Sequence, residues 1–230
     1  TAAAVVIDGQ VLQDFWVQLV AAASVITMIL GNTLALAQRN VKRLLAYSSI
    51  AQAGYTLIGV AAIQSQTEQG VAAVAFYMFM YTFTNLLAFG VVIVFSEMTG
   101  SENIADMAGL SRRNPWMALA MTIAFLSLAG IPPAAGFFGK FFLFNAAVEA
   151  GLEWLAIVGV LNAIIALWYY LVVIKVIYVD RSEDDDKHIA VPTTAAWAMG
   201  ITTAAVILLG VVPQTVFDWA VEGARSLMML

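Results

Sequence analysis

Six stretches of this chain run for about twenty residues or more almost without charge, at 16–38, 44–63, 71–96, 116–148, 154–179 and 189–212. Each is long enough to cross the roughly 30 Å of hydrocarbon in a bilayer as a helix. A backbone in lipid finds no water for its N–H and C=O groups, so only helices or a closed barrel satisfy it, and runs this long without period-two alternation exclude barrel strands. The fold class expected is all-α, a polytopic transmembrane helical bundle of six spans with the fourth discontinuous. Residues 16–212 form the bundle, 1–15 an extramembrane segment or the end of a preceding helix, and 213–230 a C-terminal tail. Composition agrees: 62% of the 230 residues are hydrophobic and 11% charged, whereas soluble domains run at about 45–50% and 25%.

Several chemistries are excluded at once. The chain has no Cys, which removes disulfides and thiolate sites, and its single His188 cannot make a multi-histidine metal centre. A net charge of −5 argues against nucleic acid as a partner, because phosphate binding needs a basic face. The lipid bilayer is the partner the composition requires. No charged segment followed by a short apolar core opens the chain, so no signal peptide is expected. Motifs of soluble catalysis are missing: there is no GxGxxG after a strand, no phosphate-binding P-loop, no GxSxG and no HExxH.

Lys and Arg set the orientation. The first, third and fifth linkers and their margins carry Arg39, Lys42, Arg43, Arg112, Arg113, Lys175, Arg181 and Lys187; the second and fourth carry none. The odd linkers should therefore face the cytoplasm or its topological equivalent. One helix too many or too few would split these clusters between the two sides. Lys42 and Arg43 are read first as topology signals, and the run Glu183-Asp184-Asp185-Asp186 as a solvated linker, since it lacks the spaced ligands and glycine turn of a calcium loop.

The fourth span carries the chemistry. From Trp116 to Val148 it would be roughly 50 Å long as one straight helix, too long for a modest tilt, and it contains Gly130-Ile131-Pro132-Pro133-Ala134-Ala135-Gly136. Two consecutive prolines remove two backbone donors, so two half-helices joined by an unwound stretch are expected. Such a break persists at membrane depth only where protein or a water-filled cavity satisfies the freed groups. Lys140 follows it, with no other charge between Arg113 and Glu149. An ammonium within a span is costly and by default functional. Desolvation and a nearby carboxylate act on a lysine's proton in opposite senses, so such a group can load and release a proton as its surroundings change. The alternative is a lysine that snorkels to the headgroups. Lys140 is the candidate proton-relay residue.

Other polar residues within spans are weaker signals. Tyr77, Tyr81 and Asn85 recur at i, i+4 and i+8 on one helical face. Ser48, Ser49, Gln52 and Tyr55 gather near the start of the second span, and Asn162, Tyr169 and Tyr170 lie in the fifth. All of these read either as the lining of a hydrated path or as interhelical hydrogen bonds and packing.

Two motifs add a resemblance. Residues 31–55, with Gln38, Lys42-Arg43-Leu44-Leu45-Ala46-Tyr47-Ser48-Ser49-Ile50, Gln52 and Gly54-Tyr55, and residues 127–141, with the glycine–proline break and Lys140, together resemble the antiporter-like membrane subunits of proton-pumping NADH:quinone oxidoreductase, respiratory complex I. The Ser-Ser form is nearest the N type, and the resemblance runs from about residue 16 to 213. It implies a subunit of fourteen helices, of which these six are the last, with Lys140 on a central hydrophilic axis. It further implies proton translocation coupled to quinone reduction, in a translocase whose active site is not complete in this chain. The expected partners are other membrane subunits of the same complex. No cofactor is expected in this chain; quinone, FMN and iron–sulfur clusters belong to other subunits. The cell inner membrane is the expected location, with a thylakoid or organellar membrane as the alternative. The L and M relatives carry two histidines and a lysine where this sequence has Tyr77, Tyr81 and Asn85, which favours the N type over a multi-subunit Mrp cation/proton antiporter, the alternative reading.

Overall fold

The computed structural model describes residues 9–63 and 68–228. It is a bundle of helices in the order α1 (Gly9–Leu36), α2 (Val41–Ala62), α3 (Glu68–Thr99), α4 (Leu110–Arg113), α5 (Pro115–Ala129), α6 (Ala135–Glu149), α7 (Glu153–Tyr178), α8 (Thr193–Val211) and α9 (Pro213–Met228). Five of these, α1, α2, α3, α7 and α8, are long and apolar enough to cross a membrane. The fourth span is the pair α5 and α6, fifteen residues each, broken where the proline pair falls. Of the segment 1–15, residues 1–8 lie outside the described residues, and the remainder belongs to α1. Much of 213–230, read from sequence as a tail, is the helix α9.

Large apolar side chains face outward on these helices, among them Trp16, Ile26, Ile164, Trp168 and Leu208, as the bilayer-facing surface of a membrane bundle requires. Inside, small and polar side chains let helices approach. Ser24 on α1 donates to the Gly54 carbonyl on α2 at 2.7 Å.

The linkers explain the distribution of charge. Val41 N–H donates to the Glu102 carbonyl (2.9 Å) and Ile104 N–H to the Arg39 carbonyl (2.9 Å), which ties the first linker to the third. Lys42 pairs with Glu102 at 3.1 Å, and Asn40 both caps α2, accepting from Arg43 N–H, and donates to Glu102. The third linker is tied to the fifth by Arg112 on Asp185 (2.8 Å) and by Asn114, whose amide donates to the Ile189 carbonyl (2.9 Å) while its oxygen caps α5. So the three linkers bearing the basic residues meet at one end of the bundle. At the opposite end Arg225 of α9 grips Glu68 at 2.9 Å. The run at 183–186, expected to be merely solvated, supplies the Asp185 that anchors Arg112.

Candidate functional site

The break is built by local capping. Gly130 ends α5 with φ +85°, a left-handed conformation that glycine adopts without a Cβ penalty. Its N–H returns to the Leu126 and Ser127 carbonyls, and Ile131 N–H to Leu126. That leaves the Leu128 and Ala129 carbonyls without helical partners, the usual fate of the last turn. Across the gap, the Ser127 hydroxyl accepts from Gly136 N–H at 3.1 Å and bonds Thr84 of α3 at 2.9 Å. A Cβ at Gly136 would collide with the Ser127 carbonyl, so α6 can start against α5 only as glycine.

Lys140 occupies the second turn of α6 and is 5% exposed. Its ammonium bends back to the orphaned carbonyls, donating to Leu128 at 2.8 Å and Ala129 at 3.2 Å, and lies 4.5 Å from the centre of the Tyr55 ring. No ion pair to Lys140 is formed among the described residues. The C-terminal end of α5, where the helix dipole is negative, and the face of an aromatic ring do the work of a counter-charge. This is not a snorkelling lysine: its nitrogen points into the bundle.

Around it the polar residues predicted from sequence fall into two connected groups. Gln52 of α2 donates to the same Leu128 carbonyl at 3.1 Å and accepts a hydrogen bond from the Tyr77 hydroxyl. Tyr170 faces Gln52 as well and is hydrogen-bonded to Ser48. Beyond it Tyr169 donates to Asn32 Oδ1 at 3.1 Å, and Asn32 donates to Asn162 Oδ1 at 3.2 Å. The Tyr55 hydroxyl lies near Asn32 without a hydrogen bond of ordinary geometry.

The remaining candidates are less engaged. Tyr81 is half-buried and stacks on Tyr77 with centroids 6.4 Å apart, while Asn85 makes no side-chain hydrogen bond to a described residue. Ser49 turns back to the Leu45 carbonyl at 2.9 Å. Sequence reading missed Asn32, Thr84 and Ser127 as individual site residues; the signal for each was a fully buried polar side chain inside an apolar run. On the α7 side, the cleft of about 290 Å³ beside Lys140 is walled by Phe137, Phe141, Phe144, Val160 and Ile164, so the polar connections of the lysine run the other way, toward α2 and α3. A larger cleft of about 580 Å³ between α5 and α8 holds His188 and Asn114 and lies at the far end of α5 from the lysine. Among the described residues, no group of acidic or histidine side chains is arranged to hold a metal ion.

Fold and site define a class: a polytopic membrane bundle in which one interrupted span buries a lysine against the carbonyls of its own broken end. The family model for the NADH:quinone oxidoreductase/Mrp antiporter transmembrane region matches residues 2–166, and the chain belongs to that family. It is 43% identical over 218 residues to NADH-quinone oxidoreductase subunit N of Moorella thermoacetica, covering 95% of this chain and 45% of the relative. It is 42% identical over 215 residues to subunit N of Rhodospirillum rubrum, covering 93% and 43%. The chain thus spans about half the length of the curated relatives it matches. Among solved structures, a chain of respiratory complex I from Thermus thermophilus with bound aureothin superposes with a TM-score of 0.75 at 31% identity, over 87% of this chain and 45% of that one. A chain of the Mrp complex from Dietzia sp. shares the fold, with a TM-score of 0.84 at 21% identity over 95% and 48%.

Proposed function

We propose that this chain is part of subunit N of NADH-quinone oxidoreductase and contributes to proton translocation coupled to quinone reduction, in the inner membrane, alongside other membrane subunits. The observation that carries the proposal is the burial of Lys140 at the helix break with carbonyls rather than carboxylates as partners. A cation so held has no fixed counter-ion to trap its proton, and the Leu128 carbonyl that it shares with Gln52 links it to hydroxyls on α2, α3 and α7. Lys140 is the proton-relay residue of the chain. FMN, iron–sulfur clusters and quinone would then belong to other subunits, as the likeness to NADH-quinone oxidoreductase implies. The fold is shared with Mrp antiporters, but the residue-by-residue likeness is to subunit N, which favours the redox-coupled reading.

The test is the Lys140→Ala variant of the full-length subunit in the assembled complex, reconstituted into vesicles. Proton uptake driven by NADH oxidation should be strongly reduced, with quinone reduction falling through coupling. Unimpaired translocation would refute the relay role, and transport that requires sodium without any redox substrate would favour the antiporter reading.

A further inference from the structure

Gln52 joins the Lys140 site to the hydroxyls of α3 and α7 that lie beyond the Leu128 carbonyl. Its amide nitrogen shares the Leu128 carbonyl with the lysine, at 3.1 Å against 2.8 Å, and its amide oxygen holds the Tyr77 hydroxyl. Tyr170, itself bonded to Ser48, faces the same side chain. The residue is 2% exposed, so its bonds are made within the protein.

The chemistry of that junction is unsymmetrical. A hydroxyl or a water relays a proton by accepting one on oxygen while releasing another, and a carboxyl or an amine does so by changing its own charge; tyrosine, lysine and water chains all serve this way. A neutral amide donates through nitrogen and accepts through oxygen, but has no proton to release near neutral pH. The backbone carbonyls of Leu128 and Ala129 only accept. In the arrangement seen, the Lys140 ammonium donates to two carbonyls, faces the Tyr55 ring and shares Leu128 with an amide, and no hydroxyl among the described residues is hydrogen-bonded to it to take its proton.

We propose that Gln52 is the gate of the Lys140 relay: in place it holds the path closed, and its displacement lets water bridge Lys140 Nζ to the Tyr77 and Tyr170 hydroxyls. In the open step the ammonium gives one proton to the bridging water, which gives one of its own to the next acceptor, and Lys140 is left neutral until reloaded from the other side. Gln52 is thus a positioning residue, acting through Leu128 and Tyr77 rather than carrying the proton. The inference rests on the proton-relay reading of Lys140.

The experiment is passive proton permeability of vesicles carrying the intact complex with full-length subunit, measured by a pH-sensitive dye under an imposed gradient with no electron donor. The Gln52→Glu variant keeps the shape of the side chain but sets a carboxylate beside the Lys140 ammonium, a counter-ion that holds its proton. The Gln52→Ala variant makes room for water, and the Gln52→Leu variant supplies neither. The Gln52→Ala variant should leak protons several-fold faster than the native complex, whereas Gln52→Glu and Gln52→Leu should stay tight while pumping less. A residue needed only for packing would give a different order, with the near-isosteric glutamate pumping almost as the native residue does and the alanine variant no leakier than the leucine one. Native permeability in the Gln52→Ala variant overturns the gate, even where Lys140→Ala still abolishes pumping. A leak that survives when Lys140→Ala is added overturns the relay reading itself, since the protons would then travel elsewhere. If Gln52→Ala does not assemble, the leak of Gln52→Ser, which also makes room for water, decides.

Discussion

Lys140 Nζ and the Leu128 carbonyl lie 2.8 Å apart, so the ammonium on the second half-helix caps the end of the first. The break and the lysine are therefore one device. Ending α5 early exposes two carbonyls, and the lysine twelve residues on turns back to use them. A charge that would be prohibitive on a continuous helix in lipid is held here by the negative end of a helix dipole.

That relationship predicts the behaviour of Lys140→Met, which keeps the length and removes the charge. Leu128 retains the Gln52 amide, but Ala129 loses its partner, at a cost of about 1–3 kcal/mol for an unsatisfied buried acceptor. The complex should assemble with a modestly lowered thermal midpoint and without proton pumping. Pumping by an assembled Lys140→Met complex would separate the capping role from the transport role.

Much of this was legible in the sequence. The six spans, the interruption of the fourth and the lysine after it follow from apolar run length, a proline pair and one unpaired charge. Three things were not legible. Hydrophobic periodicity says which residues share a face but not which neighbour a tyrosine meets, so the sequence left Tyr77, Tyr81 and Asn85 open between a hydrated lining and interhelical packing, whereas in the structure Tyr77 is the one of the three that bonds Gln52. Asn32 and Asn162 are 130 residues apart and are brought together only by the packing of α1 on α7. The helix α9 was hidden because its charged residues, Asp218, Glu222 and Arg225, look like a polar tail unless the stripe of Phe217, Val216 and Ala224 is read at helical spacing.

Gly136 should tolerate no side chain. A Cβ there would drive into the Ser127 carbonyl, and backbone is the part that cannot swing aside. Overpacking a rigid site costs about 1–3 kcal/mol or more, and here the strain falls on the hydrogen bond from Gly136 N–H to Ser127 and so on the geometry of the break. Gly136→Ala should reduce the yield of assembled complex and lower proton pumping per quinone reduced. Native yield and native stoichiometry in that variant would show that the break has slack that the packing does not reveal.

The anchoring of α9 separates two kinds of contact. Phe217 stacks on Phe142 with centroids 3.9 Å apart and meets Phe76 edge-on at 6.1 Å, whereas Arg225 grips Glu68 from an exposed position. Exposed ion pairs contribute little and are screened by salt, while truncating a packed aromatic forfeits buried area and ring contacts. Phe217→Ala should therefore make α9 accessible to added protease well before Arg225→Ala does, and high salt should affect only the Arg225 contact. Equal protease sensitivity of the two variants would mean that the ion pair, not the ring stack, holds the helix down.

At the basic end, pH acts through the linker carboxylates. The Arg112 guanidinium holds the Asp185 carboxyl below its usual 3.8, and the amide of Asn40 with the ammonium of Lys42 holds Glu102 below its usual 4.5. For groups depressed in the folded state, the stabilisation is fully present above the unfolded value and is lost as pH falls through the folded one. The tie between the third and fifth linkers should thus be constant from neutral pH down to the ordinary carboxylate range and weaken only below it. Asp185→Asn should reproduce the acid state at pH 7, giving faster hydrogen exchange or cleavage in 180–188 than the native chain, with no further change on acidification through that range. If the native linker loosens between pH 7 and pH 5, a group other than Asp185 controls it; if Asp185→Asn leaves it unchanged at pH 7, the Arg112 contact does not hold the two linkers together.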